Sequence, residues 1–246
     1  MAGSALSVSM TAATPARGDG DQENGWGDLR MSKHQIIADG TGLHGRSIDA
    51  ALNLLTESQS QPPSLSDIAE MVDVPEDSLR SIFPDPNAVL VAAAEQALVR
   101  LIDASVKAVV KIDPDDAVAQ FVALGETYID WASAHPAQFR LLSDQRILDS
   151  EGTHQLSRYI DSLVDLMERT LRRARDAGRL TGAENIPLMV LSSRAFVSGL
   201  ASMIVQGRLV SSFPGNPKAE PVEIAKLALH DFIHRAARGS MPRKSE

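Results

Sequence analysis

The stretch that decides the fold is Ser64-Leu-Ser-Asp-Ile-Ala-Glu-Met-Val-Asp-Val-Pro-Glu-Asp-Ser-Leu-Arg-Ser-Ile-Phe83. Its apolar residues recur at helical spacing in two groups, which predicts two short amphipathic helices. The first group is Leu65, Ile68, Ala69 and Val72, and the second is Leu79, Ile82 and Phe83. Between the groups, Val72-Asp73-Val74 leaves room for a turn, and Pro75 restarts the chain with a preset φ. We therefore predict a helix-turn-helix corner over residues 64–83.

Helical patterns flank this corner on both sides. Residues 46–55 read Arg-Ser-Ile-Asp-Ala-Ala-Leu-Asn-Leu-Leu, with apolar side chains on one face. After the corner, Asp85 is a candidate N-cap, and Pro86 is suited to the first position of a long helix over residues 86–111. With these flanks, residues 46–90 resemble the amino-terminal domain of the TetR family of bacterial transcriptional regulators.

This resemblance implies an all-α protein with two parts. We expect an amino-terminal three-helix helix-turn-helix domain over residues 41–90 and a carboxyl-terminal helical bundle for effector binding and dimerisation over residues 91–240. Composition agrees with aliphatic helix packing, since 43 % of the 246 residues are hydrophobic and only 4 % are aromatic. Residues 1–40 are expected to form a disordered tail without a secretory signal, with Met31 as an alternative start.

Further helices are expected along the rest of the chain. Asp113-Pro114-Asp115-Asp116 reads as a helix start, with Asp113 as the N-cap and a proline after it. The predicted helices cover residues 113–135, 137–143, 153–178, 185–209 and a last segment that begins at Pro221.

The resemblance also indicates which residues would meet DNA: Arg46, Ser64, Ser66, Pro75, Glu76, Asp77, Ser78, Arg80 and Ser81. The chain departs from the family here, because its second helix has acids and serines where the family usually has Lys, Thr, Tyr and His or Arg. From His44 to Leu90 there are two Lys or Arg against eight Asp or Glu, a net charge of −6. Affinity for duplex DNA comes largely from cations that neutralise phosphates.

Two functional hypotheses therefore stay open. In the first, a ligand-responsive regulator binds operator DNA through Arg80, helped by a positively charged leader that contains Arg30, Lys33, His34, His44 and Arg46. In the second, a degenerate relative keeps the fold and the dimer, has lost DNA binding, and acts through a ligand or a protein. We adopt the first hypothesis.

Residues 185–209 are apolar almost all the way round. A membrane span would have to accommodate Arg194 at its centre, which is costly. We therefore expect no membrane contact, and burial of this helix between its own domain and a second subunit. The last two helices of TetR-like chains pair with their copies, which implies a homodimer matched to two DNA half-sites. The absence of cysteine fits a cytoplasmic protein.

Two segments resemble TetR-type effector domains. Residues 128–142 match an Ala-x-x-His-Pro-x-x-(Phe/Tyr)-x-Leu pattern. Residues 194–201 match a Trp-x-x-Val-His-Gly-Leu-Ala pattern of a Trp/His/Gly-type subgroup, with Arg194 in the Trp position and Ser198 in the His position.

An arginine on an apolar helix needs a carboxylate, carbonyls or a bound anion as a partner. We predict a pocket for a small molecule with an acidic group, lined by Tyr128, Trp131, Met167, Arg194 and Ser198. The alternative is an internal salt bridge from this arginine to Asp130, Asp161 or Asp165.

Other chemistry finds little support in the sequence. His230 and His234 have a spacing that can chelate a metal, but no third ligand lies at a suitable spacing. No phosphate-binding loop or nucleophile motif occurs. We expect no metal, no cofactor and no enzymatic activity.

Overall fold

The computed structural model describes residues 42–57, 61–180, 185–213 and 220–238. These ranges contain helices and no strand, which confirms the all-α prediction. The helices are α1 (Leu43–Glu57), α2 (Leu65–Val72), α3 (Glu76–Arg80), α4 (Pro86–Val110), α5 (Ala117–Ala134), α6 (Pro136–Ser143), α7 (His154–Asp176), α8 (Ile186–Val205), α9 (Leu209–Ser212) and α10 (Pro221–Arg238). The predicted tail, and the leader as far as residue 41, lie outside the described residues.

Helices α2 and α3 form the predicted corner. The amide and hydroxyl of Ser64 donate to the Asp67 carboxylate over 2.9 and 2.6 Å, and Ser64 Oγ accepts from the Asp67 amide at 3.1 Å. This reciprocal capping box fixes the start of α2. At its end, Asp73 adopts the left-handed conformation, with φ 56° and ψ 55°. Both ends of the helix are thus determined by local sequence.

The second helix of the corner is shorter than predicted. It ends at Arg80, and Ile82, which was expected on the inner face, is 40 % exposed. Phe83 is buried as predicted, but it lies after the helix. The residue before a proline is disfavoured in the α conformation, and Pro84 therefore stops the helix early.

Helix α4 joins the corner to the bundle. It begins as predicted, because the Asp85 side chain accepts from the Ala88 amide at 2.8 Å and Pro86 occupies the first turn. Its first half packs in the core of the corner, and the helix also packs against α5 and α7. The division of the chain at residue 90 stays a prediction, because α4 runs across that point without interruption.

The core of the corner, here called the head core, also contains bundle residues. Ile48, Ile68, Leu79 and Leu90 are its largest fully buried side chains from α1 to α4. The same cluster includes side chains from α6, α7 and the segment between them: Leu141, Ile147, Leu148, Leu156 and Tyr159. The corner is therefore packed directly onto this part of the bundle.

In the bundle, α5 contacts α4, α7, α8 and α10. Gly125 permits the close approach of α10, since a Cβ there would lie 2.6 Å from Leu229 Cδ2. The predicted cap of α5 was wrong. Asp116 is the N-cap and accepts from the Ala119 amide at 2.9 Å, whereas Asp113 accepts from the Asp115 amide within a turn.

Helices α8 and α10 keep apolar side chains on the surface of the chain. Leu188 and Leu191 of α8 are 55 % and 60 % exposed, and Leu227 of α10 is 69 % exposed. Among the helices in the described ranges, only α8 is long and apolar enough to cross a membrane by length and composition. It ends at Val205 rather than near Leu209, because Gly207 turns the chain with φ 67°.

We expect Asp73→Gly to raise the free energy of unfolding by about 0.5–1 kcal/mol, because glycine adopts the left-handed conformation without a Cβ penalty. Asp73→Val should lower it by about 1 kcal/mol or more. Urea unfolding of the purified protein measures both. Asp73→Asn controls for the lost charge and should change stability little. An equal effect of the Gly and Val variants would contradict this account of the turn.

Candidate functional site

A cavity of about 450 Å³ lies inside the bundle, between α4, α5, α7, α8 and the segment that joins α6 to α7. Most of its wall is aliphatic, including Leu98, Leu101, Leu163 and Val164. Its size and apolar wall are typical of sites for small organic molecules. Four of the five predicted ligand residues line it: Tyr128, Met167, Arg194 and Ser198.

Trp131, the fifth, is not on the wall. Its side chain is buried in a neighbouring cluster, where its ring lies 5.9 Å from that of Tyr128 and 6.3 Å from that of His135. Its ring therefore packs against the Tyr128 ring from outside the cavity wall. Its inclusion in the pocket was wrong because helical spacing does not show which neighbour an apolar side chain will meet.

The tyrosine and the serine of the wall form a polar pair. Tyr128 Oη and Ser198 Oγ are 3.2 Å apart, so one hydroxyl donates to the other. Burial raises the pKa of the Tyr128 phenol above its ordinary value, although the Ser198 hydrogen bond and the charge of Arg194 act in the opposite direction. The phenol is neutral at physiological pH and remains a hydrogen-bond donor.

Arg194 has a different partner from those predicted. Its Nη2 lies 3.7 Å from Glu151 Oε1, and these side chains are 39 % and 70 % exposed. Of the predicted partners, Asp130 pairs with Lys226 at 2.8 Å and Asp165 with Arg169 at 2.8 Å. The predicted internal salt bridge was therefore wrong, because the carboxylate that pairs with Arg194 is that of Glu151, a loop residue at the cavity.

The segment between α6 and α7 contributes residues that the sequence did not predict for this site. Ser150 is only 4 % exposed and lines the cavity, and its Oγ has no hydrogen-bond partner. Gln145 and Glu151 also line it. Residues 149–153 read as a surface loop, and no local pattern indicates that this loop turns toward the cavity.

Most of the predicted DNA-binding residues at the corner are accessible to solvent. Arg46, Ser64, Ser66, Pro75, Asp77, Ser78, Arg80 and Ser81 are exposed, and Glu76 is half-buried. The Arg80 guanidinium donates twice to Glu76 Oε1, at 2.6 and 3.0 Å. The one cation of α3 is thus largely neutralised by its own helix, an i,i+4 pair that the sequence spacing could have indicated.

His44 does not act as a cation of the leader. Its ring packs against Phe83 in a tilted arrangement with centroids 4.8 Å apart, and burial lowers its pKa below the ordinary 6.5. It is neutral at pH 7 and anchors α1 to the corner. The prediction that His44 belongs to the positively charged leader was therefore wrong.

A second cleft lies between α5 and α10. His230 Nε2 is 2.8 Å from Glu126 Oε1, and the rings of His230 and His234 are 6.2 Å apart. No group of three His, Cys, Asp or Glu side chains within the described ranges has a geometry that would hold a metal ion.

A sequence model of the tetracyclin repressor-like C-terminal domain matches residues 121–229, from the first turns of α5 to the middle of α10. Over this segment, 109 of the 246 residues, the chain is similar to the carboxyl-terminal domain of the TetR family. The likeness to its Trp/His/Gly-type subgroup stays a prediction. No curated protein matches the chain in sequence.

Solved structures share the fold of this chain. A protein of unknown function from Rhodococcus sp. RHA1 has a TM-score of 0.65 and 24 % identity, over 80 % of this chain and 97 % of that one. A tetR-family regulatory protein from Rhodococcus RHA1 has a TM-score of 0.64 and 15 % identity, over 81 % and 100 %. The TetR-family transcriptional regulator PfmR from Thermus thermophilus has a TM-score of 0.57 and 20 % identity, over 76 % and 96 %.

The tyrosine of this cavity should titrate late. The chain has two tyrosines, so Tyr159→Phe leaves Tyr128 as the only phenol. We expect its ultraviolet titration midpoint above pH 10.0, and a higher one still in the Tyr159→Phe/Ser198→Ala double variant, because the Ser198 hydrogen bond lowers the pKa. With a folded pKa above the unfolded one, this group's contribution to stability is present below pH 10 and is lost as pH rises. A midpoint at or below 10 would contradict the burial of the phenol.

Proposed function

We propose that this protein is a ligand-responsive transcriptional regulator that binds operator DNA as a homodimer in the cytoplasm. In this proposal, a small molecule occupies the bundle cavity and changes the position of the helix-turn-helix corner. The protein acts by binding and catalyses no reaction.

The observation that carries the proposal concerns the segment between α6 and α7. Ile147 and Leu148 are buried in the head core, while Ser150 and Glu151 line the cavity two and three residues further on. A ligand that moves Ser150 and Glu151 would also displace Ile147 and Leu148, because a close-packed protein core transmits strain. Cavity and corner are thus connected by one short piece of chain.

The charge of the corner sets the strength of DNA binding in this proposal. With a net charge of −6 over residues 44–90 and Arg80 paired to Glu76, the corner attracts phosphates weakly. Contact would depend on backbone amides, the exposed serines and Arg46. We therefore expect an affinity that is modest and strongly dependent on ionic strength.

Glu76→Gln should strengthen DNA binding, because it releases Arg80 and removes one negative charge from the contact face. We expect an affinity gain of about three- to tenfold at low salt, and Arg80→Met should reduce the salt slope by about one. Electrophoretic mobility shift with the upstream region of the gene, repeated over several salt concentrations, measures both effects.

The matched control is Asp103→Asn. Asp103 pairs with Lys107 at 2.6 Å in the same i,i+4 arrangement, but it lies in the bundle half of α4. The Asp103→Asn variant changes the net charge by the same amount as Glu76→Gln and should leave DNA affinity unchanged. If the wild-type protein and the Glu76→Gln variant both fail to shift DNA at low salt, the regulator proposal fails. The degenerate relative that acts through ligand or protein binding would then replace it, and the acidic corner is the observation that favours it.

The homodimer is supported by the exposed apolar side chains of α8 and α10. These helices pack on each other, with the Phe196 and Phe232 rings stacked at 4.3 Å. Leu188, Leu191 and Leu227 nonetheless remain more than half exposed. Burying such side chains against a second copy contributes about 1.5–3 kcal/mol each, and a two-fold interface uses every one twice.

Leu188→Glu and Leu227→Glu should each produce a monomer at micromolar concentration, because each places two carboxylates in the symmetric interface. Sedimentation velocity measures the change. Both residues are exposed in the chain, so the helical circular dichroism should be retained. Val110→Glu is the control, since Val110 is 76 % exposed at the end of α4. A dimer that persists in both variants would place the interface elsewhere.

A further inference from the structure

The buried hydroxyl of Ser150 suggests a binding role. Among the described side chains, Ser150 Oγ is the one buried nitrogen or oxygen atom without a hydrogen-bond partner, and Ser150 is one of the residues that line the cavity. Leaving such a group unpaired costs free energy, so native structures rarely retain one without a purpose. An oxygen atom supplied by a ligand in the cavity would remove this cost.

The Arg194–Glu151 pair is a weak ion pair that a ligand can replace. Its separation of 3.7 Å is too long for a hydrogen bond, and the Glu151 side chain is 70 % exposed. Exposed pairs of this kind contribute little to stability. Glu151 can therefore return to water at small cost, and Arg194 is then free to bind another anion.

Ser150 and Glu151 are adjacent in the chain, and both line the same cavity as Arg194. We propose that Ser150 Oγ and the Arg194 guanidinium bind the carboxylate of an amphipathic monocarboxylic acid. In the absence of this ligand, Glu151 pairs with Arg194, and the ligand carboxylate displaces it. The inference rests on the proposed function, because it specifies the ligand of the same cavity.

The remainder of the wall defines the rest of the ligand. Leu98, Leu101, Leu163, Val164 and Met167 offer no charge and accommodate an alkyl chain. The hydroxyls of Tyr128 and Ser198 bind each other, so neither oxygen is left without a partner. The chemistry of the cavity thus fits one anionic end and an apolar tail.

Sodium decanoate is the probe, titrated into the purified full-length protein by isothermal titration calorimetry without DNA. We expect one site per chain that binds decanoate more tightly than decan-1-ol. Ser150→Ala should weaken decanoate binding about tenfold and Arg194→Met by at least as much, because each removes a hydrogen bond to a charged group. Glu151→Gln should strengthen it about two- to fivefold, because the competing carboxylate is gone.

Asp161→Asn is the matched control for Glu151→Gln. Asp161 is an exposed acid on α7, outside the cavity wall, and its loss changes the net charge by the same amount. It should not alter decanoate binding, and Glu151→Gln should not alter binding of decan-1-ol. Thermal unfolding of each variant verifies that it folds.

Absence of decanoate binding, or unchanged affinity in both Ser150→Ala and Arg194→Met, would overturn the inference. Unchanged affinity in Glu151→Gln would remove the displacement step. These outcomes are separate from the proposed function. Decanoate that binds as expected without changing the DNA mobility shift would refute ligand-responsive regulation and leave the binding site intact.

Discussion

Burial of the short segment between α6 and α7 is the constraint on which the arrangement of this protein depends. Ile147 and Leu148 are 7 % and 4 % exposed, and they belong to the same core as the corner helices. The corner alone offers little apolar surface, since α2 and α3 are only eight and five residues long. Helices of this length are not stable in isolation. The corner therefore takes its position from the bundle.

A polar network reinforces this connection at the surface. Glu95 of α4 accepts hydrogen bonds from Tyr159 Oη at 2.6 Å and from Gln155 Nε2 at 2.6 Å, and it pairs with Arg158 at 3.3 Å. Since a bond to a carboxylate is stronger than a neutral one, the network holds α7 against α4 in one register. Any rotation of the corner relative to the bundle must either preserve these bonds or exchange them for water.

The parts of the fold that the sequence predicted correctly are those determined by neighbouring residues. The turn predicted after Val72 is made at Asp73, and the helix predicted to follow Asp85 begins where the Ala88 amide donates to the Asp85 side chain. The error at Asp113 is of the same local kind, because either Asp113 or Asp116 can cap a helix. Only the surrounding packing selects between them.

The candidate site was predicted less completely, for a different physical reason. Tyr128, Arg194 and Ser198 were predicted from segments that resemble TetR-type effector domains and from the charge of Arg194 on an apolar helix, and Met167 from the apolar face of its helix. Ser150 and Glu151 lie in an irregular loop, and their approach to Arg194 depends on how Ile147 and Leu148 are buried. That is a contact between residues more than 40 positions apart, and no periodicity in the loop encodes it. By contrast, the ion pair within α3 is local, and the four-residue spacing of Glu76 and Arg80 was sufficient to predict it.

The same loop explains how a weak ligand contact could have a large effect. To move a two-state equilibrium, a ligand must bind one state more tightly than the other, and equal contacts in both states shift nothing. The aliphatic wall is contributed largely by α4, α5 and α7, which remain packed on one another, so the tail of a ligand discriminates little between states. Ser150 and Glu151 are attached to the segment that enters the head core. The polar end of a ligand would therefore carry most of the difference in binding free energy, although the tail supplies most of the buried area.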